Sequence, residues 1–174
     1  MARSPTLTTA RLTLVRFTEG LVGERYIGWL NDPRVTRYSR QRHRRHDRED
    51  CLRFLAGYGD GSPSHFWAIL AGGEHVGNIT ADVDLPNRVA ALSIMIGEVS
   101  AWGKGIGAEA WGAVADVLLA DGGMRKLEAG TMAVNLGMLK VFERTGFAVE
   151  GIRPRHFLWE GQEVDLVQAG RFRH

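Results

Sequence analysis

Gly103, Gly105 and Gly107 alternate around Lys104, between an apolar run, Ala90 to Ile96, and a run with helical spacing, Ala108 to Ala120. Strand, glycine turn and helix in that order aim several free backbone N–H groups at one anion. Glycine permits positive φ and a close backbone approach. The helix N-terminus favours negative charge by roughly 0.3–1 kcal/mol. The same spacing also serves a tight turn without a ligand. A P-loop is excluded, because Lys104 is followed by Gly105 and Ile106 and not by Ser or Thr. A dinucleotide fingerprint fails as well, since the spacing is G-x-G-x-G and lies deep in the chain.

The strongest charge block, Arg40-Gln-Arg-His-Arg-Arg-His-Asp-Arg48, is the second place where chemistry is written. A solvated loop accounts for it. So does a site for an anionic ligand, because a guanidinium makes two parallel bonds to phosphate or carboxylate. His43 and His46 add two imidazoles to the block.

Composition bounds what these groups serve. The 174 residues suit one domain, 1–174, with one core. At 44% apolar and 24% charged the chain reads as globular. A net charge of +2 gives no global case for nucleic-acid binding. The single cysteine, Cys51, excludes an internal disulfide and suits a reducing compartment. No C-x-x-C or H-E-x-x-H spacing is present, so no metal site is expected. The opening Met-Ala-Arg-Ser-Pro-Thr lacks the apolar core of a signal peptide. No apolar run approaches the ~20 residues of a membrane span. The expectation is a cytoplasmic protein with no membrane partner, monomeric or homodimeric.

The elements that position these groups follow from period and punctuation. Arg11 to Phe17 alternates as a first strand. Glu24 to Leu30 has helical spacing, and Asp32-Pro33 then starts another helix as N-cap and first residue. Asp47 caps a helix through Leu52, Leu55 and Tyr58. His65 to Ala71 and Glu74 to Asp82 form a hairpin around Gly72-Gly73. Ala90 to Ile96 is apolar at nearly every position, which predicts a central strand buried on both faces. Trp111, Val114, Ala115 and Leu118 share a helix face closed by Gly122-Gly123. Lys126 to Val134 is a strand. The strand–helix–strand order makes it parallel to Ala90–Ile96. Leu136 to Thr145 is a short helix. Phe147 to Arg153 and Glu163 to Phe172 are the last strands, with Phe157 to Glu160 expected to extend the second.

The glycine turn and the segment Asn135-Leu-Gly-Met-Leu-Lys-Val-Phe-Glu-Arg-Thr-Gly-Phe147 together resemble the GNAT superfamily of acyl-CoA N-acetyltransferases. The turn is similar to its pyrophosphate loop, Gln/Arg-x-x-Gly-x-Gly/Ala. The segment is similar to its Asn-x-x-(Ala/Ser)-x-x-x-(Tyr/Phe)-Glu-Lys/Arg-x-Gly-Phe motif. The opening strand, Trp29-Leu-Asn-Asp-Pro33 and the tail with Gly161 and Asp165 resemble the branch that holds the RimJ/RimL ribosomal-protein acetyltransferases and many aminosugar acetyltransferases.

The resemblance implies an α/β (α+β) fold. Its sheet is mixed, mostly antiparallel, of about seven strands, with helices on both faces and a V-shaped split between two parallel central strands, here 90–97 and 126–134. It implies acetyl-CoA as acyl donor, with no metal. The backbone of Gly103, Lys104, Gly105, Ile106, Gly107 and Ala108 would hold the pyrophosphate. Met95 and Ile96 would pair with the pantetheine arm, Asn135 would bond the pantetheine or the reacting region, and Phe142 would pack beside the thioester. Two positions depart from the pattern. Trp102 stands where Gln or Arg is usual, and Phe142 stands where many members have a tyrosine that protonates the leaving thiolate. In this superfamily the early helices and their loop help form the acceptor site. That makes Arg40, Arg42, His43 and Arg45 the substrate-binding candidates and implies an anionic acceptor.

The reaction implied is attack of a neutral amine on the thioester. An α-amine of pKa about 7.7–8.0 needs about 3.5 kcal/mol less deprotonation work than a lysine at about 10.4. Asn135, His43 and Asp84 are the catalytic candidates, with Asp82, Glu98, His46 and His75 as further possible bases. The first expectation is N-acetylation of a small amine, an aminosugar or nucleotide-linked aminosugar. The alternatives are an N-terminal protein acetyltransferase of the RimJ/RimL type and a non-catalytic acyl-CoA-binding module.

Overall fold

Alternation along the strand His65–Ala71 divides the molecule into two apolar halves. In the computed structural model, which describes residues 4–173, Phe66 and Ala68 join one buried cluster and Trp67 and Ile69 join the other. A period of two on a strand buried at both faces does this. Met1 to Arg3 and His174, parts of the opening segment and the single domain read above, lie outside the described residues.

The elements run β1 (Leu7–Thr8), β2 (Leu12–Arg16), α1 (Glu24–Asn31), α2 (Pro33–Thr36), α3 (Arg48–Ala56), β3 (His65–Ala71), β4 (Glu74–Asp84) and β5 (Val89–Ile96). Then come α4 (Ile106–Ala120), β6 (Lys126–Met132), α5 (Leu136–Arg144), β7 (Ala148–Trp159) and β8 (Gln162–Phe172). One eight-stranded sheet forms in the order β1-β2-β3-β4-β5-β6-β8-β7. Among the described residues β5–β6 is its one parallel pair. α4 lays Trp111, Val114, Ala115 and Leu118 on one face, all at most 1% exposed. Tyr26, Trp29 and Leu30 of α1 and Cys51 of α3 cover the other face with Phe17, Tyr58 and Phe66.

Local chemistry sets the helix starts. Asp32 accepts the Arg34 N–H ahead of Pro33. Asp47 and Asp50 exchange a reciprocal pair of bonds as a capping box. α3 ends at Ala56, short of Tyr58, because Gly57 and Gly59 favour the tighter bonds Gly57 N–H to Phe54 C=O and Tyr58 N–H to Leu55 C=O. Phe157–Trp159 extends β7 and not β8, since Glu160-Gly161 turns the chain with both residues at positive φ. The eighth strand, β1, is a two-residue pairing with β2 that the sequence pattern did not reveal.

The largest correction concerns β5. Only Ala90 and Leu92 are buried, and Ser93 is exposed. The cause is the split. β5 pairs with β6 only at Val89↔Lys126, Ala90↔Leu127 and Ala91↔Glu128. Beyond Ala91, β5 stays on β4 as far as Gly77↔Ile96, while β6 follows β8 to Met132↔Leu166. The expected V therefore opens toward the C-terminal ends of both strands, with its apex at Ala91 and Glu128.

Candidate active site

The open end of the V leads into the glycine turn. Glu98 caps a short 3₁₀ turn, Val99–Ala101, by accepting the Ser100 N–H at 3.2 Å and its hydroxyl at 2.9 Å. Gly103 and Gly105 take φ of +72° and +78°, a left-handed backbone that side chains disfavour. Gly107 is already helical. The bond from Glu109 N–H to Gly105 C=O spans the first turn of α4. The N–H groups of Ile106, Gly107 and Ala108 are thus left at the helix end without α-helical partners. Gly103 and Lys104 are exposed. The turn therefore presents what an oxyanion needs: an exposed loop leading to backbone donors free of α-helical partners at the positive end of a 15-residue helix.

Trp102 fills the place of the usual polar residue differently. Its indole donates to the Ile96 carbonyl at 2.8 Å and ties the turn to the end of β5. Met95 packs toward the α1–α3 cluster and Ile96 toward the α4 cluster. Both lie on the part of β5 that has left β6.

On the β6 side, Asn135 caps α5. Its Oδ1 accepts the Met138 N–H at 3.3 Å and its Nδ2 donates to Thr131 Oγ1 at 3.0 Å. Phe142 is 2% exposed, 5.9 Å from both the Trp111 and the Phe147 rings. The ring packs in the buried cluster that α4 and α5 share.

The arginine block lies across the open end. Trp29 of α1 packs on Gly97 just past β5, where any Cβ would collide with the indole. The β7–β8 tip projects beyond the end of β6. Between them the α2–α3 connection bonds to that tip. Arg42 donates to the Leu158 carbonyl at 3.0 Å, Arg37 pairs with Glu160 at 3.2 Å, and the Trp159 indole donates to the Arg37 carbonyl at 3.2 Å. A cavity of about 630 Å³ forms there, lined among others by Arg37, Arg42, Arg44, Arg45, Trp159 and Glu160. Of the predicted binding residues, Arg42 and Arg45 line it. Arg40 lies over the Phe157 ring at 5.8 Å, and His43 is exposed outside the lining. Arg37 and Trp159 were missed, because the hairpin tip that meets the block is more than 100 residues away in sequence.

A second hollow, of about 320 Å³, lies at the apex and is lined by Asp82, Asp84, Ala91, Arg125, Lys126 and Glu128 among others. Here the structure separates the two candidate carboxylates. Asp84 is opposite Val89, below the apex, and its carboxylate closes the β4–β5 turn by accepting the Asn87 N–H and Nδ2. Those bonds hold its pKa below the ordinary carboxylate value, so it is a weaker base. Asp82 is the residue opposite Ala91, level with the apex, and the Tyr58 hydroxyl donates to it at 2.8 Å. Burial, and then Asp82, push the Tyr58 pKa upward, so that hydroxyl stays a donor.

The three catalytic candidates are not brought together. Asp84 is level with Lys126 through Val89, and Asn135 lies beyond Met132, about 20 Å along β6 at 3.3 Å per residue. His43 sits on the arginine connection. His46 is buried at 4% exposure with its backbone clamped by Asn31. Burial pushes His75 below the ordinary imidazole value, and its Nε2 faces Gly77 O and Asn78 Oδ1. Among the described residues no group of three or more His, Cys, Asp or Glu is placed to hold a metal.

Asp84→Asn checks the turn assignment. A carboxylate with a lowered folded-state pKa stabilises above its unfolded value and loses that contribution as pH falls through the folded one. The variant is therefore expected to melt lower than wild type at pH 7, with the gap shrinking below about pH 4, and to keep its turnover. A large loss of kcat would return Asp84 to the chemistry.

A family model described as an acetyltransferase (GNAT) domain matches residues 11–148. The chain belongs to the GNAT acetyltransferases, and its class is that of an N-acetyltransferase. Its fold is similar to RimL, the ribosomal L7/L12 alpha-N-protein acetyltransferase solved with coenzyme A, at TM-score 0.81 and 16% identity over 97% of this chain and 98% of that one. The spermidine N-acetyltransferase of Vibrio cholerae, solved with CoA and spermine, gives 0.85 at 15% identity over 95% and 97%. The microcin C7 self-immunity acetyltransferase MccE, solved with acetyl-CoA and AMP, gives 0.77 at 15% over 94% and 93%. No curated protein matches the chain. Among the described residues no helix is long and apolar enough to cross a membrane.

Proposed function

We propose that the chain moves an acetyl group from acetyl-CoA to the primary amine of a small anionic acceptor, an aminosugar or a nucleotide-linked aminosugar. The observation that carries the acceptor class is the arginine-lined cavity across the open end of the V. Arg44 and Arg45 are exposed on its lining, Arg44 also acting through its charge on the Asp50 carboxylate, and both guanidinium groups would face a ligand. The stacked Tyr38 and Trp159 rings, 5.7 Å apart, add an aromatic wall beside them. MccE, a fold relative captured with AMP, fits the same class.

The diphosphate of the donor would sit on Gly103 to Ala108. The pantetheine arm would run along the β5 edge that β6 has left, Leu92 to Ile96, about 13 Å at 3.3 Å per residue. The thioester would then lie near the apex, so the acceptor, anchored by its anionic end on the arginines, would reach along the cleft to present its amine beside Asp82. Binding holds amine and thioester together, and a backbone N–H of the β5 edge is the oxyanion donor. The amine nitrogen bonds to the acetyl carbon, the carbon–sulfur bond breaks, and Asp82 takes the amine proton. With phenylalanine at 142, the thiolate leaves without a tyrosine acid. A weakly basic amine suits this machinery best, because most of the deprotonation work is already done at neutral pH.

Thiol release across aminosugars, nucleotide-linked aminosugars, amino acids and an N-terminal peptide tests the reading, with mass spectrometry locating the acetyl group. Arg44→Ala/Arg45→Ala is expected to raise KM about 10–100-fold for a phosphorylated acceptor, the size of one charged hydrogen bond, and to leave KM for acetyl-CoA unchanged. Fast acetylation of the peptide, with no small acceptor turned over, would replace this reading with an N-terminal protein acetyltransferase.

A further inference from the structure

An acidic side chain, Glu109, sits in the first turn of α4, beside the backbone donors that would seat a diphosphate. A carboxylate there suits the helix dipole but repels a phosphate. Arg11, from the turn between β1 and β2, lies 98 residues away in sequence and meets it. Arg11 Nε donates to Glu109 Oε2 at 2.7 Å, and Nη2 lies 2.6 Å from the same oxygen. The Arg11 backbone N–H and the Thr9 hydroxyl both donate to Oε1, at 3.0 and 2.5 Å. The remaining arm, Nη1, donates to the Lys104 carbonyl at 2.8 Å, inside the glycine turn. A Cβ built on Gly105 would lie 3.4 Å from Nη2. One guanidinium thus grips both the carboxylate and the turn, with the Arg11 side chain still 53% exposed.

We propose that Arg11 is a positioning residue for the diphosphate seat: it masks the Glu109 carboxylate and pins the Lys104 carbonyl, so that the turn shows an incoming phosphate only donors. This rests on the reading of the glycine turn as the diphosphate seat. Thr9, first, and Arg11 hold the Glu109 pKa below its usual range, so Glu109 is fully charged at neutral pH. Without the Arg11 side chain, Glu109 would keep the Thr9 hydroxyl and the backbone N–H on Oε1 but stand beside the seat with its charge unpaired, and the Lys104 carbonyl would be free to turn toward it. Lysine at position 11 would restore one charge but not the two-armed grip.

The test titrates CoA into the full chain and measures acetyl transfer from acetyl-CoA and from S-acetyl-pantetheine, which lacks the diphosphate. Arg11→Ala is expected to weaken CoA binding about 10–30-fold. Saturating kcat should stay within about threefold, and transfer from S-acetyl-pantetheine should be unchanged, which a merely structural lesion would not spare. Arg11→Ala/Glu109→Gln is expected to recover most of the lost affinity, because the repelling charge is gone. Arg11→Lys should fall between wild type and Arg11→Ala. Equal CoA affinity in wild type and Arg11→Ala would overturn the role of Arg11 and leave the seat standing. Failure of the double variant to recover would overturn the masking. Wild type that takes up no CoA would instead remove the seat itself. Should Arg11→Ala fail to fold, Glu109→Gln alone decides: masking expects affinity no weaker than about threefold from wild type, and a larger loss refutes it.

Discussion

Asp82→Asn is expected to lower kcat about 100-fold or more while KM for acetyl-CoA stays near its wild-type value. The side chain keeps its size and still accepts the Tyr58 hydroxyl, so the fold and the donor seat are untouched. What disappears is an acceptor for the amine proton at the level of Ala91, where β5 and β6 part. General bases contribute typically 10²–10⁴-fold. The residual rate should then depend on amine that has already lost its proton to water, and should rise tenfold per pH unit below the pKa of the acceptor. Wild type should show the weaker pH dependence. Tyr58→Phe keeps the carboxylate but removes its 2.8 Å partner, so a smaller loss, about 3–10-fold, follows if the tyrosine only aims the carboxylate. Unchanged kcat in Asp82→Asn would move proton removal to another group, and Glu128, the other carboxylate level with the apex, is next in line.

The parts of this site that were legible in the sequence are the local ones. Asp32-Pro33 and Asp47 announce helix starts because a cap acts within three residues. The glycine turn reads from sequence because positive φ at 103 and 105 demands glycine there. A strand, a helix and another strand imply the parallel pair because the crossover leaves little choice. Long-range placement was hidden. The apolar run of β5 suggests burial on both faces, yet the split strips its second half of a neighbour, and nothing in the strand itself says so. Asp82 and Asp84 share a face and look alike in sequence. Only the register, the Asn87 turn and Tyr58 separate them. The arginine block reads as charge, but its Trp159 and Glu160 partners come from a hairpin at the far end of the chain. Arg11 carried no signal at all, since its meaning lies in Glu109.

Trp111→Ala is expected to destabilise the protein by about 3–5 kcal/mol, the range for deleting a large buried aromatic. At 2–4 °C per kcal/mol for a domain of this size, the melting temperature should fall by about 6–20 °C. Trp111 is 1% exposed and joins two helices that matter to function. Its ring lies 5.9 Å from Phe142 on α5 and 5.4 Å from Phe147, while its own helix, α4, starts at the glycine turn. A cavity there should loosen the seat on α4 against Asn135, which caps α5, so CoA affinity should fall together with stability. Trp111→Phe distinguishes packing from hydrogen bonding. The indole Nε1 is buried with no partner, alone in that respect among the described residues, and an unmade bond of this kind costs about 1–3 kcal/mol. Phenylalanine gives up ring volume but removes that unpaired donor, so the two effects oppose, and the variant should melt within a few degrees of wild type. A fall as large as that of alanine would mean that the indole N–H has a partner in solution, and that this bond, not the ring, fastens α4 to α5.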